Sequence, residues 1–406
     1  MQRAQDSPPQ FDRSVFPFET VSVTGGTGTV GSQFVKVLLA QFPDVRRVNT
    51  TCRPDSPRAY RIPEADRVNV VKGSINDLEV LKAMVEGAEV VYHLAAWLAN
   101  TPLPTMLDVY ITNSLSTGVL SRLCARRGKP MVFTSSHSVY FAGDYEGHIR
   151  ADTYDFRDDF IQWIDEAGDA YSRLIDDIID GREQFAGARD AVHRIHDEYP
   201  PPFDPKIYDD DSYHIYCLTK LLAERFVLDD GHPAPRLANV YGPGDESTQA
   251  VAEACQRLLE AEPGDRIEVL RPFKKLVPNY LGDIITSLVR AGTLELPEDE
   301  EAVFTVASQS GYMREDELLR TVAESLNRIR GTDHEYDIEE LAPEEETAFT
   351  YDLSRMKRYL VKEEEMTPFG EGVEEQLRWL IERQEGAPPR GADVVIDLAD
   401  APNSGG

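Results

Sequence analysis

The stretch Thr20-Val21-Ser22-Val23-Thr24-Gly25-Gly26-Thr27-Gly28-Thr29-Val30-Gly31 decides the fold. Its opening, Thr20 to Val23, is short and rich in β-branched residues, as a buried strand is. Glycines at three-residue spacing follow, and after them Phe34, Val37, Leu38 and Phe42 recur at helical spacing. In that strand, turn and helix setting, Gly25 permits the tight turn, Gly28 lets backbone approach a pyrophosphate, and Gly31 allows close helix packing. The helix N-terminus adds free N–H groups and a partial positive charge. Gly25, Thr27, Gly28, Thr29, Val30 and Gly31 are therefore expected to cradle a dinucleotide.

Outward from this loop, short β-branched runs alternate with helical patterns. The expected strands are Thr20 to Val23, Arg47 to Cys52, Val68 to Lys72, Val90 to His93, Met131 to Thr134 and Arg236 to Val240. The fold class is α/β, with a doubly wound parallel sheet. Residues 1–18 read as a polar segment, and 19–240 as the nucleotide-binding domain. Within it, 142–211 is an acidic insertion whose Phe160, Trp163, Ile164, Tyr171, Leu174, Ile175, Ile178 and Ile179 form one helical stripe. Two readings of the insertion stand side by side, a lid over the substrate site and a peripheral hairpin or oligomer contact. Residues 241–384 read as a smaller, discontinuous substrate lobe that returns in part to the first domain, and 385–406 as an unstructured tail.

The chain has 406 residues, 41% of them hydrophobic, enough to bury a large core. Its formal charge of −30 would repel phosphate backbones and anionic lipid, so neither nucleic acid nor a membrane surface is expected as a partner. No apolar run approaches a membrane span, and the four cysteines are widely separated, which together point to a cytoplasmic, reducing location. His193 and His196 lack a third ligand at suitable spacing, so no metal is expected.

Tyr216 and Lys220 stand four apart in Tyr-Cys-Leu-Thr-Lys, which on a helix puts phenol and ammonium on one face. A free phenol near pKa 10 is ionised about one part in a thousand at neutral pH, so its use as a general base costs roughly 4 kcal/mol unless a cation lowers that pKa. At the end of the second expected strand, Arg53 stands where an acid would bind a ribose hydroxyl; an arginine there can pair with a 2′-phosphate, tilting the reading from NAD toward NADP.

Taken in order, these motifs resemble the extended short-chain dehydrogenase/reductase family, the nucleotide-sugar epimerases and dehydratases, over roughly residues 19 to 384. Val91-Tyr92-His93-Leu94-Ala95-Ala96 is similar to the family's fourth strand, and Phe133-Thr134-Ser135-Ser136-His137-Ser138-Val139-Tyr140 to the strand bearing its catalytic hydroxyl. The resemblance implies a Rossmann fold. In catalysis it implies Tyr216 as proton carrier, Ser136 as partner of the developing alkoxide, Lys220 on the nicotinamide ribose, and Asn113 in support of a proton relay. It adds Ser74, Ile75, Leu94, Ala95, Ala96 and Thr134, with Tyr216 and Lys220, to the cofactor site. Ser136, His137, Asn239, Arg271, Lys274 and Lys275 would meet substrate, and a homodimer would form through the helices bearing Asn113 and Tyr216.

Departures from the family pattern narrow the expectation. His137 and Ser138 replace the acidic pair of the dehydratases, and Ser136 and Tyr216 lie 80 residues apart, several times the usual spacing. What remains is a C4-type epimerase of a nucleotide-activated sugar, or alternatively an NADPH-dependent ketoreductase or dehydrogenase of a secondary alcohol.

Overall fold

The computed structural model describes residues 16–98, 105–142, 148–149, 156, 158–202, 212–247, 249–271, 276–341, 350–386 and 396. The first half runs β1 (Thr20–Thr24), α1 (Thr29–Gln41), β2 (Arg47–Cys52), β3 (Val68–Lys72), α2 (Leu78–Glu86), β4 (Val90–His93), α3 (Met106–Tyr110), α4 (Ser116–Arg126) and β5 (Met131–Phe133). These strands form one parallel sheet in the order β3-β2-β1-β4-β5. The order reverses between β1 and β4, so a crevice opens at the carboxyl ends of those two strands, directly over the glycine turn. Val21, Val23, Val48, Val90, Val91 and Val132 are fully buried, which is why these strands read as apolar runs without alternation.

Past the sheet edge come β6 (Ser135–Ser136), β7 (His148–Ile149), α5 (Asp158–Ile179), α6 (Ala188–Glu198), α7 (Ser212–Asp229) and β8 (Ala234–Leu237). β6 and β8 join β12 (Val303–Val306) in a second parallel ladder, and a bond from Phe133 N–H to Pro233 O at 3.0 Å continues the first sheet into it. The expected strand Arg236 to Val240 is divided. Its latter part is β9 (Asn239–Tyr241), which pairs instead with β11 (Pro278–Tyr280). Between them lie α8 (Ala250–Glu260) and β10 (Arg266–Ile267), and after them α9 (Leu281–Ala291). α10 (Glu315–Arg330), β13 (Asp337–Ile338), β14 (Thr350–Tyr351), α11 (Ser354–Tyr359) and α12 (Phe369–Gln384) complete the chain. A second hydrophobic cluster, with Val251, Leu258, Leu318, Val322, Val373 and Leu377, joins α8, α10 and α12.

The insertion stripe is a single helix, α5, with Phe160, Trp163, Ile164, Tyr171, Leu174, Ile175 and Ile178 buried and Ile179 partly so. It packs on α4 and α7. Gly118 of α4 leaves room for Ile175, and Gly168 of α5 for Arg225 of α7, since a Cβ at either position would collide with those side chains. Arg122 and Arg126 then bond Asp176 at 2.8 Å each. α6 turns back onto α3, where Tyr171 Oη bonds His196 Nε2 at 2.9 Å. Helix α5 thus lies against the two helices through which the family resemblance implies a homodimer. Of residues 387–406 only Ile396 is described; it is buried in the core and donates its N–H to Gln41 Oε1 at 3.2 Å.

Candidate active site

At the glycine turn, Gly25 has φ +78°, and a Cβ there would sit 2.8 Å from the backbone nitrogen of Ala95. A Cβ at Gly31 would strike the carbonyl of Gly25. The first bond inside α1 is Ser32 N–H to Gly28 O at 3.0 Å, and neither a capping side chain nor an acid stands in its first turn. Such a helix start suits the phosphates of a dinucleotide. The residues present therefore fit the cofactor that the spacing predicted. When bound, it supplies the hydride acceptor or donor.

A hydrogen-bonded chain with a fixed direction runs beneath this turn. Thr117 Oγ1 has one hydrogen and gives it to Asn113 O at 2.7 Å, so His93 Nε2 must donate to Thr117 at 2.8 Å. Burial drives the His93 pKa down to about 3, helped by nearby Lys220, and the neutral ring then accepts at Nδ1 from Thr24 Oγ1 at 2.7 Å. Thr24 Oγ1 in turn accepts from Ala95 N–H at 3.2 Å. His93 thereby joins the phosphate turn to the one turn of π-helix, Ile111–Leu115, that carries Asn113. The Asn113 side chain grips the Trp97 backbone, accepting from its N–H at 2.8 Å and donating to its carbonyl at 3.1 Å. It also donates to Thr219 Oγ1 at 3.2 Å, on the helix turn between Tyr216 and Lys220. The family resemblance assigns no role to His93. A histidine at the carboxyl end of a central strand, facing threonines on two neighbours, was the signal available.

Ser136, Tyr216 and Lys220 come together from β6 and α7, all buried. The Tyr216 hydroxyl hydrogen-bonds Ser136, and Ser136 Oγ accepts from Ser138 N–H at 3.1 Å. Lys220 Nζ donates to Thr134 O at 2.7 Å and sits 4.2 Å from the Phe133 ring centre. In this geometry Lys220 by itself does not lower the Tyr216 pKa. Burial pushes Tyr216 up to about 12, with the Ser136 bond opposing it. Burial also brings Lys220 down to about 7, against the pull of Glu224, so its ammonium is only partly charged at neutral pH.

That depressed lysine has a consequence for stability. Between about pH 7 and pH 10.5 the unfolded chain holds a proton on Lys220 that the folded chain has released, so stability rises with pH across that window. Relative to Lys220→Met, the wild-type protein should gain about 2 kcal/mol between pH 7 and pH 9 in denaturant unfolding. Parallel pH profiles for the two proteins would contradict this.

Of the other expected contacts, Ile75 is buried and Ser74 Oγ accepts from Asn76 N–H at 3.1 Å beyond the end of β3. Leu94, Ala95 and Ala96 follow β4. Arg53 is largely exposed, and its side chain lies 3.9 Å from Asp55. His137 Nδ1 pairs with Tyr351 Oη at 2.8 Å, bringing β14 beside Ser136, a partnership not foreseen from sequence. Asn239 accepts from Val277 N–H at 3.1 Å. Arg271, expected to meet substrate, bonds Glu253 and lies 3.8 Å from Glu315, so two carboxylates answer its charge. Lys274 and Lys275 lie outside the described residues. Of the discounted histidines, His193 pairs with Asp197 at 3.0 Å and His196 with Tyr171. Among the described residues no helix is long and apolar enough to cross a membrane.

The chain thus combines a parallel sheet with a switch point, a glycine turn beside it and a buried set of Ser136, Tyr216 and Lys220. Residues 21–157 match the model of the NAD dependent epimerase/dehydratase family. Curated relatives include cinnamoyl-CoA reductase 1 of Arabidopsis thaliana, 33% identical over 122 residues, covering 29% of this chain and 34% of the relative. Another is a 3 beta-hydroxysteroid dehydrogenase/Delta 5-->4-isomerase of Mycobacterium tuberculosis, 25% identical over 292 residues, 68% of this chain and 61% of the relative. The chain thus spans between about a third and three fifths of the length of these proteins. Among solved structures, UDP-glucose 4-epimerase of Thermotoga maritima with UDP-glucose has a TM-score of 0.59 at 17% identity, over 90% of this chain and 99% of that one. The enzyme WbmH of Bordetella bronchiseptica in complex with NAD+ has a TM-score of 0.59 at 18% identity, over 90% of this chain and 99% of that one. At such identities the likeness is one of fold.

Proposed function

We propose that this chain catalyses NAD(P)-dependent hydride transfer at a secondary alcohol or ketone, with Tyr216 carrying the hydroxyl proton and Ser136 bonding the developing alkoxide. The observation that carries the reading is the buried Tyr216 to Ser136 bond, with Lys220 one helical turn beyond on α7. A phenol held up at about 12 is protonated at neutral pH and ready to donate to an alkoxide. Working in the oxidative direction, it must first be brought down by positive charge beside it.

The finer reading is a C4-type epimerase of a nucleotide-activated sugar, in which a keto intermediate receives its hydride back on the opposite face. UDP-glucose 4-epimerase, similar to this chain in fold, supports it. The engagement of Arg271 by Glu253 and Glu315 supports the other reading, a one-way ketoreductase or dehydrogenase whose substrate carries no diphosphate. We place the enzyme in the cytoplasm.

The test is to denature purified protein and identify released nucleotide by mass spectrometry. Stoichiometric NAD is the result expected of an epimerase, which regenerates its cofactor each turnover. An empty protein that binds NADPH more tightly than NADH would favour the reductase and give Arg53 its 2′-phosphate. A protein that binds neither nucleotide would overturn both readings.

A further inference from the structure

Arg61 lies in the connection between β2 and β3, with its side chain only 9% exposed. Its Nη1 is 3.4 Å from Thr29 Oγ1, at the first residue of α1, and its Nη2 bonds Glu246 at 2.9 Å. Tyr60 Oη donates to the same carboxylate oxygen at 2.9 Å, and Arg383 of α12 bonds the other oxygen at 2.8 Å. Three separate parts of the chain therefore meet on Glu246: the β2–β3 connection, the turn after β9, and the last helix of the second lobe.

That turn is built to hold Glu246 still. Gly242 and Gly244 take φ +138° and +92°, and Gly244 lies so close to α1 that a Cβ would collide with Gln33. Asp245 Oδ1 accepts from Ser247 N–H at 3.0 Å, and its carbonyl accepts from Gln376 of α12 at 3.1 Å. Burial alone would raise the Glu246 pKa, but the bonds from Arg61 and Tyr60 hold it below the usual range, so the carboxylate stays charged. The Arg61 guanidinium thus stands at the start of the phosphate turn's helix, held there by Glu246, in a chain whose formal charge is −30. Anionic ligands in such a chain must be held by cations placed locally.

We propose that Glu246 is a positioning residue for the cofactor, fixing the Arg61 guanidinium as a clasp over the dinucleotide phosphates at the start of α1 and tying that clasp to α12. This rests on the dinucleotide reading of the site. It assigns to Arg61, which contacts Thr29, and not to the exposed Arg53, the role of side-chain cation at the phosphate turn. The clasp must open for the dinucleotide to leave, so its strength sets the rate of release.

The experiment is stopped-flow release of NADH and NADPH from the full chain, following nucleotide fluorescence. Glu246→Gln keeps the shape and removes the charge-assisted pairs, and release should quicken by about tenfold or more, since such bonds are worth about 1.5–3 kcal/mol. Arg61→Met should quicken it as much, and the double variant no more than Arg61→Met alone, because Glu246 acts through Arg61. A general loss of packing would instead add in the double variant. Release within twofold of wild type in Glu246→Gln, or additive effects, overturns the clasp while leaving the dinucleotide reading intact. A wild-type chain that binds neither nucleotide overturns both. Thermal unfolding of each variant close to that of wild type certifies that the comparison is between folded proteins.

Discussion

Tyr216→Phe is expected to lower turnover by about 10²–10⁴-fold, the range a positioned general acid–base contributes. The change removes one oxygen from a buried side chain and leaves the ring in place, so the fold should persist. Dinucleotide affinity should stay within a few-fold, because the phosphates are expected to be held at the glycine turn, on other elements. The loss should therefore fall on kcat and not on cofactor binding. Ser136→Ala gives the companion measurement. It removes the Tyr216 partner, which by itself lowers the phenol pKa, so the pH profile of turnover should move upward as well as downward in height. A Tyr216→Phe enzyme with undiminished turnover would remove Tyr216 from the role of proton carrier.

The second large effect is on stability. Arg236, on β8, and Glu224, on α7, form a two-pronged pair at 2.9 and 2.7 Å with side chains only 5% and 3% exposed. The guanidinium also faces the Tyr140 ring at 5.0 Å, and Tyr140 Oη bonds Thr305 at 2.6 Å on the neighbouring strand β12. Arg236→Met leaves the Glu224 carboxylate buried without its partner, a change that costs about 3–5 kcal/mol in comparable settings. Denaturant unfolding should show that loss. Arg236→Met with Glu224→Leu should recover most of it, because the stranded charge is then gone. A single variant within about 1 kcal/mol of wild type would mean that water reaches the pair. The pair also bears on the site, since Glu224 is one helical turn from Lys220 and draws its pKa upward against burial.

Much of this architecture was legible in local patterns. Strands β1 to β4 fall where β-branched runs stood, because a strand buried on both faces needs apolar residues at every position, and that need is written in contiguous sequence. The glycine turn was legible for a similar reason, as Gly25 and Gly31 answer backbone contacts that no other residue can make. The stripe from Phe160 to Ile179 announced a helix with one buried face, but not which surface would cover it. Only the folded chain shows α4 and α7 beneath it, with Gly118 and Gly168 making room.

Local sequence suffices for strands β1 to β4, the phosphate turn, and the four-residue spacing that puts Tyr216 and Lys220 on one helix face. These are short-range properties, set by steric limits on the backbone and by helical geometry. Tertiary structure decided what lies many residues away. It brought Ser136 to Tyr216 across 80 residues, gave His137 to Tyr351, closed Arg271 between two acids, and set Arg61 against Thr29 under Glu246. It also set the electrostatics, because burial moves Lys220 down and Tyr216 up, and desolvation belongs to the packed interior and not to the residue.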